Sequence, residues 1–256
     1  MDVPGISRPV LVVLIVAAVL LFAYGAGTAV GRLTRHTDTQ TRTFAAVPTV
    51  VVSSRNADVN VVASDRSDVR VTTREQRSVW GGGHVNLRGE AGGLQLRDSC
   101  RDIPVVDDPC HVSMRLDVPR STSVRVVTGT GDLRAEHLEG GADLTSGTGD
   151  LHVLGVRGPV RAHADTGDVE VVAPAPDISA RTATGDVVIV ASHPQTIHAV
   201  AATGDVILVV PDLTYAVDAQ SDVGDDKVFV HADDASPRKI EAHTNTGDVI
   251  VSTDAP

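Results

Sequence analysis

A Gly-Asp pair returns through the second half of the chain, its glycines being Gly131, Gly149, Gly167, Gly185, Gly204, Gly224 and Gly247. The steps between them are 18, 18, 18, 19, 20 and 23 residues. So short and regular a period marks stacked copies of one supersecondary unit, each able to bury its apolar face only against its neighbours. Thr130, Thr148, Thr166, Thr184, Thr203 and Thr246 precede six of the glycines, and Val223 marks the degenerate copy.

Alignment on the glycine exposes the unit. Positions seven, five, three and one before it are small or aliphatic, as in Val160, Ala162, Ala164 and Thr166, or Ile197, Ala199, Ala201 and Thr203. Polar residues such as Arg161, His163 and Asp165 alternate with them, the pattern of a half-buried strand. After the glycine the apolar positions fall two and four residues on, as in Val169/Val171 and Val187/Ile189. The parity has flipped, and a straight strand would turn its hydrophobic set outward. The chain must therefore bend at Thr-Gly, where glycine tolerates the backbone angles of a corner. Strand, corner, strand and turn in 18 residues predict one coil of a parallel β-solenoid, an all-β fold in which successive coils stack about 4.8 Å apart.

Composition agrees with a thin core. Hydrophobic residues make up 42% of the chain, which argues against disorder, but only three Phe, one Trp and two Tyr are present. The net charge of −11 has the wrong sign for a nucleic-acid partner. Alternation continues more loosely from Val50/Val52 to Met114/Leu116, so the solenoid is expected to span 47–256, with irregular coils over 47–118 and regular ones over 119–256.

The N-terminal region differs. A tail, 1–9, precedes 21 uncharged residues from Val10 to Val30, about 31 Å of helix and enough to cross a bilayer. Residues 10–30 read as a transmembrane signal anchor or as a signal peptide cut near Gly27-Thr28-Ala29. The anchor is preferred because the run exceeds a usual signal core. Residues 31–46 lack periodicity and read as a linker. Arg32, Arg35 and Arg42 after the span, against Arg8 before it, argue for a cytoplasmic C-terminal region. Cys100 and Cys110 argue the reverse: with nine residues between them in a proline-containing loop, they read as a disulfide of an oxidising compartment. The expectation is a single-pass membrane protein with its C-terminal domain outside the cytoplasm.

Repeats of the form V-P-x-x-x-Φ-x-Φ-x-T-x-T-G-D-Φ-x-V (Φ apolar) behind one hydrophobic segment resemble the bacterial putative-adhesin family, a β-helical domain of unknown function, over residues 48–254. The resemblance implies a cell-envelope setting and carries no catalytic or ligand residues.

Several side chains are candidates for more than folding. Stacking sets Asp132, Asp150, Asp168, Asp186, Asp205, Asp225 and Asp248 in a row. The plainer reading has each carboxylate accepting backbone N–H bonds at its corner. The sharper one makes the row a ladder of calcium sites, calcium being the only cofactor considered. His152, His163, His198 and His243 point outward. Val188, Ile207 and Ile250 form an outward apolar patch, open to a partner or covered by residues 226–239. Zincin, nucleophile-elbow, Walker and dinucleotide-binding motifs are absent from the sequence. The expected function is a non-catalytic binding, adhesion or scaffolding module contacting envelope polymer or protein. The alternatives are a carbohydrate-active enzyme on the same scaffold and a regulatory subunit of an envelope-stress system.

Overall fold

Strand Val160–Thr166 shows how one unit folds. Val160, Ala162 and Ala164 are buried while Arg161, His163, Asp165 and Thr166 are exposed. The inward run thus ends at Ala164, and Thr166 faces solvent, contrary to its expected place in the apolar series. The corner begins one residue earlier than parity suggested. At Gly167 the backbone takes φ 136°, and strand Val169–Ala173 then buries Val169 and Val171.

The structure, a computed structural model, describes residues 14, 17–22, 24–25, 36–77, 82–90, 93–101 and 112–253, with backbone alone at 36, 76–77, 82–90 and 93–101. The protein is all-β with a long parallel sheet. Each unit lies on the next in parallel register. Val160 stands opposite Ala142 and Ile178, each 18 residues away. Val169 likewise faces Leu151 and Val187. Two rows of strands result, one before the corners and one after. This is the pairing expected of a β-helix. The core between the rows is Val, Ala, Leu and Ile, and its one buried aromatic among the described residues is Tyr215. The Tyr215 hydroxyl donates to the Pro211 carbonyl at 3.1 Å, and burial pushes the phenol above its ordinary pKa.

Spatial order departs from chain order at both ends. Strand Lys239–Thr246 pairs with Thr196–Thr203 on one side and Thr214–Val223 on the other. The last repeat in the sequence is therefore the penultimate coil, and the degenerate Gly224 repeat forms the tip. Burial explains the exchange. Val249 and Val251 are fully buried in the inserted coil, whereas Val223 and Phe229 of the tip are each 66% exposed. The more apolar coil takes the place with two neighbours.

At the other end, strand Thr49–Ser64 runs through both rows. Its first half pairs with Ser123–Thr130 and its second with Leu133–Glu136. Its outer side pairs with Gly93–Arg101 and Val112–Pro119. Asn56-Ala57-Asp58 thus stands where other coils have Thr-Gly-Asp. Beyond it the pairing turns antiparallel, between Asp68–Arg77 and Val112–Pro119. Residues 36–45, within the expected linker, form strand His36–Ala45, antiparallel to Asp68–Arg77. Its alternating threonines suit a β-edge, and it covers what is otherwise an open edge. Among the described residues no helix is long and apolar enough to cross a membrane. Most of 10–30 lies outside them, as does Cys110, so the anchor and the Cys100–Cys110 disulfide remain expectations of the sequence.

Candidate functional site

Each corner is built from three bonds to its neighbours. The Gly149 N–H donates to the Thr166 carbonyl of the next coil at 2.9 Å, and the Leu151 N–H donates to the Asp168 carbonyl at 2.9 Å. Between them the Asp150 N–H points the other way, to Asp132 Oδ1, at 3.0 Å. The same donation from amide to carboxylate repeats along the stack: Asp132 N–H to Asp58, Asp168 to Asp150, Asp186 to Asp168, Asp205 to Asp186, Asp248 to Asp205 and Asp225 to Asp248, all at 2.8–3.1 Å. Asp58 is an eighth member.

In this geometry each of these carboxylates accepts a backbone N–H from the neighbouring coil. Neighbouring carboxylates about 4.8 Å apart repel by about 1 kcal/mol in water. A hydrogen bond to a charged group contributes about 1.5–3 kcal/mol, so each step is net favourable. Lys227 closes the tip, its Nζ 3.0 Å from Asp225 and 3.8 Å from Asp248, and the hydrogen bond to Asp225 raises its pKa. Asp132, Asp150, Asp168, Asp186, Asp205 and Asp248 each have one oxygen occupied by a backbone N–H and stand in single file. Among the described residues no group of three or more His, Cys, Asp or Glu is placed to hold a metal ion.

A second ladder escaped the sequence reading. Three residues before the corner, Thr128, Ser146, Thr182, Thr244 and Ser221 donate their hydroxyls to the carbonyls of Ala57, Gly131, Gly167, Gly204 and Gly247. Ala164 and Ala201 hold the equivalent places without a hydroxyl. These Ser and Thr residues sit in the small-residue series, and their recurrence at one offset was the available signal.

On the outer faces the histidines meet carboxylates. His152 Nδ1 lies 3.0 Å from Glu170 Oε2, His163 Nε2 3.3 Å from Asp165 Oδ1, and His198 Nδ1 2.8 Å from Glu241 Oε2. His243 Nε2 is 3.7 Å from Glu241 Oε1. The His198–Glu241 contact exists because the last coil is inserted beside Thr196–Thr203. Val188, Ile207 and Ile250 share a row and are half-buried. Strand Asp226–Val228 does not lie over them; it extends the same row of strands at the tip.

Fold and ladder together define a protein of the all-β, long-parallel-sheet class whose repeated polar residues hold corners. No family model matches the chain, and no curated protein matches it. It is similar to the solved structure of a putative cell adhesion protein from Clostridium sporogenes, at 11% identity and TM-score 0.42, over 85% of this chain and 99% of that one. It is also similar to a putative lipid binding protein from Parabacteroides distasonis, at 9% identity and TM-score 0.43, over 85% and 96%. A putative adhesin from Bacteroides fragilis aligns at 12% identity and TM-score 0.36, over 85% and 96%.

Proposed function

We propose that the chain is a membrane-anchored, extracytoplasmic β-solenoid that acts as a non-catalytic binding or adhesion module of the bacterial envelope. The observation that carries the reading is the use of the repeat. Its Thr-Gly-Asp residues are consumed in holding corners, so recognition is left to the outward rows of the long sheet. The uncharged 10–30 segment supplies the anchor, and the Cys100–Cys110 pair supports an oxidising location. That reading gives an anchor over 10–30 and a sheet domain that begins with strand His36–Ala45, inside the expected linker. The test is the full-length chain in a bacterial host, treated with a membrane-impermeant amine label and then fractionated. Labelling of Lys239 in intact cells, with the chain in the membrane fraction and retention of solubilised envelope polymer, is expected. Labelling only after lysis overturns the reading.

A further inference from the structure

Three arginines, Arg74, Arg115 and Arg134, line one groove. Beyond the Asp58 corner, four strands lie side by side, in the order Asp68–Arg77, Val112–Pro119, Thr49–Ser64, Leu133–Glu136. Their register sets Asn60 directly between Arg115 and Arg134, with Thr72 beyond Arg115. Arg74 lies one outward position away, beside Ser113. These side chains border a groove of about 330 Å³, whose other edge is Asp58 and Asp132. That volume is at the small end of ligand clefts, which run from about 300 to 1,000 Å³.

Three features give the groove a chemistry. Asn60 Oδ1 is buried and has no hydrogen-bond partner among the described residues. A buried acceptor left so is destabilising, and it calls for a donor such as a hydroxyl. Among the described residues Arg115 and Arg134 are each hydrogen-bonded to a side chain through Nε only, to Asp117 at 3.1 Å and Glu136 at 2.7 Å. Their outer nitrogens therefore remain for a second anion. Arg74 is exposed and makes no ion pair among the described residues. Asp58 and Asp132 have Oδ1 engaged by the Asp132 and Asp150 N–H groups, which fixes both carboxylates at the rim.

We infer that this groove binds an anionic polyol unit, its carboxylate or phosphate held by Arg74, Arg115 and Arg134 and an adjoining hydroxyl donated to Asn60. Guanidinium pairs suit both anions, being planar, bidentate and permanently charged. The inference goes beyond the proposed function and does not depend on it, since binding is measured on purified chain wherever that chain resides in the cell.

The experiment is a ligand-observed NMR titration of the full-length chain in detergent, with glucuronate, glycerol 3-phosphate and uncharged glucose as separate probes. Saturable binding of an anion at least about tenfold tighter than glucose is expected, weakened about tenfold or more by Arg74→Gln. Arg74 is exposed, so that variant keeps its melting temperature; Asn60→Ala is the second variant and weakens the same probe. Binding of glucuronate alone assigns a uronate-type ligand, and of glycerol 3-phosphate alone a polyol phosphate. Binding of neither, equal binding of glucose, or full affinity in both variants overturns the inference.

Discussion

Gly185→Ala places one methyl group where the stack is tightest. A Cβ there would lie 2.3 Å from the Gly167 carbonyl oxygen and 2.6 Å from its carbon, with Asp168 Oδ1 at 2.8 Å. Two of these are backbone atoms of the preceding corner and cannot rotate away. The φ of 136° is also one that L side chains rarely adopt. Relief requires the corners to separate, which lengthens the 2.9 Å bond from Gly167 N–H to the Thr184 carbonyl and the 2.8 Å bond from Asp186 N–H to Asp168. Losing a neutral and a charge-assisted bond costs about 2–4 kcal/mol, and a residue forced into such a conformation adds about 1–3 kcal/mol. The expected loss is therefore about 3–7 kcal/mol, read as a fall in the urea midpoint by circular dichroism. Ala57→Gly is the control. Ala57 stands at the corresponding corner without positive φ, so glycine there costs at most about 1 kcal/mol. A Gly185→Ala loss below about 1 kcal/mol, or one no larger than that of Ala57→Gly, would refute the argument that close stacking demands glycine.

The carboxylate ladder gives a second contrast: Asp168→Ala removes the acceptor of the Asp186 N–H and is expected to cost about 1–3 kcal/mol. Asp168→Asn keeps an acceptor and should cost clearly less, so equal urea midpoints would count against the ladder. Thr182→Val strips the Gly167 carbonyl of its hydroxyl and should lose about 1 kcal/mol, whereas Ala164→Ser supplies the missing donor to Gly149 and should lose nothing. In acid, Asp65 beside Arg120 and Asp68 beside Arg66 both have lowered pKa values, their hydrogen bonds to arginine being the main cause. Their contribution is present above the unfolded carboxylate pKa and disappears as pH falls through the lower folded one. Arg120→Gln should flatten the acid limb of a melting-temperature profile, and an unchanged limb would show that the Arg120 pair does not contribute. Hydrogen exchange should find amides 240–251 as protected as those of the middle coils and 217–228 faster; early exchange of 240–251 would contradict the inserted position.

Period and inward face were legible, and the corner to within one residue, because each repeats and because glycine and alternating valines act locally. Which coil lies beside which was not legible. Neighbour choice depends on comparing whole coils for the place with two neighbours, and only the Val223 substitution and the long 23-residue step hinted at it. The eighth corner was hidden for a related reason. Glycine is demanded at Gly131 by the Ala57 carbonyl behind it, while Ala57 itself takes no positive φ. A search for Gly-Asp therefore stops one coil short. The strand at His36–Ala45 has no apolar alternation to announce it, since it serves an edge more than a core. As for the candidate site, the corner aspartates were found, but that their partner is the next coil's amide follows only from stacking.

The inserted last coil has a mechanical consequence. Linear repeat arrays ordinarily come apart from a loose end, one unit peeling from its neighbour. Here Lys239–Thr246 is gripped on both sides, and the tip beyond it is a loop of chain joined at both of its ends. A pull on Ser252 has to break both flanking rows of bonds together. The last strand row of the described repeats is thus held from both sides and does not lie at a loose edge.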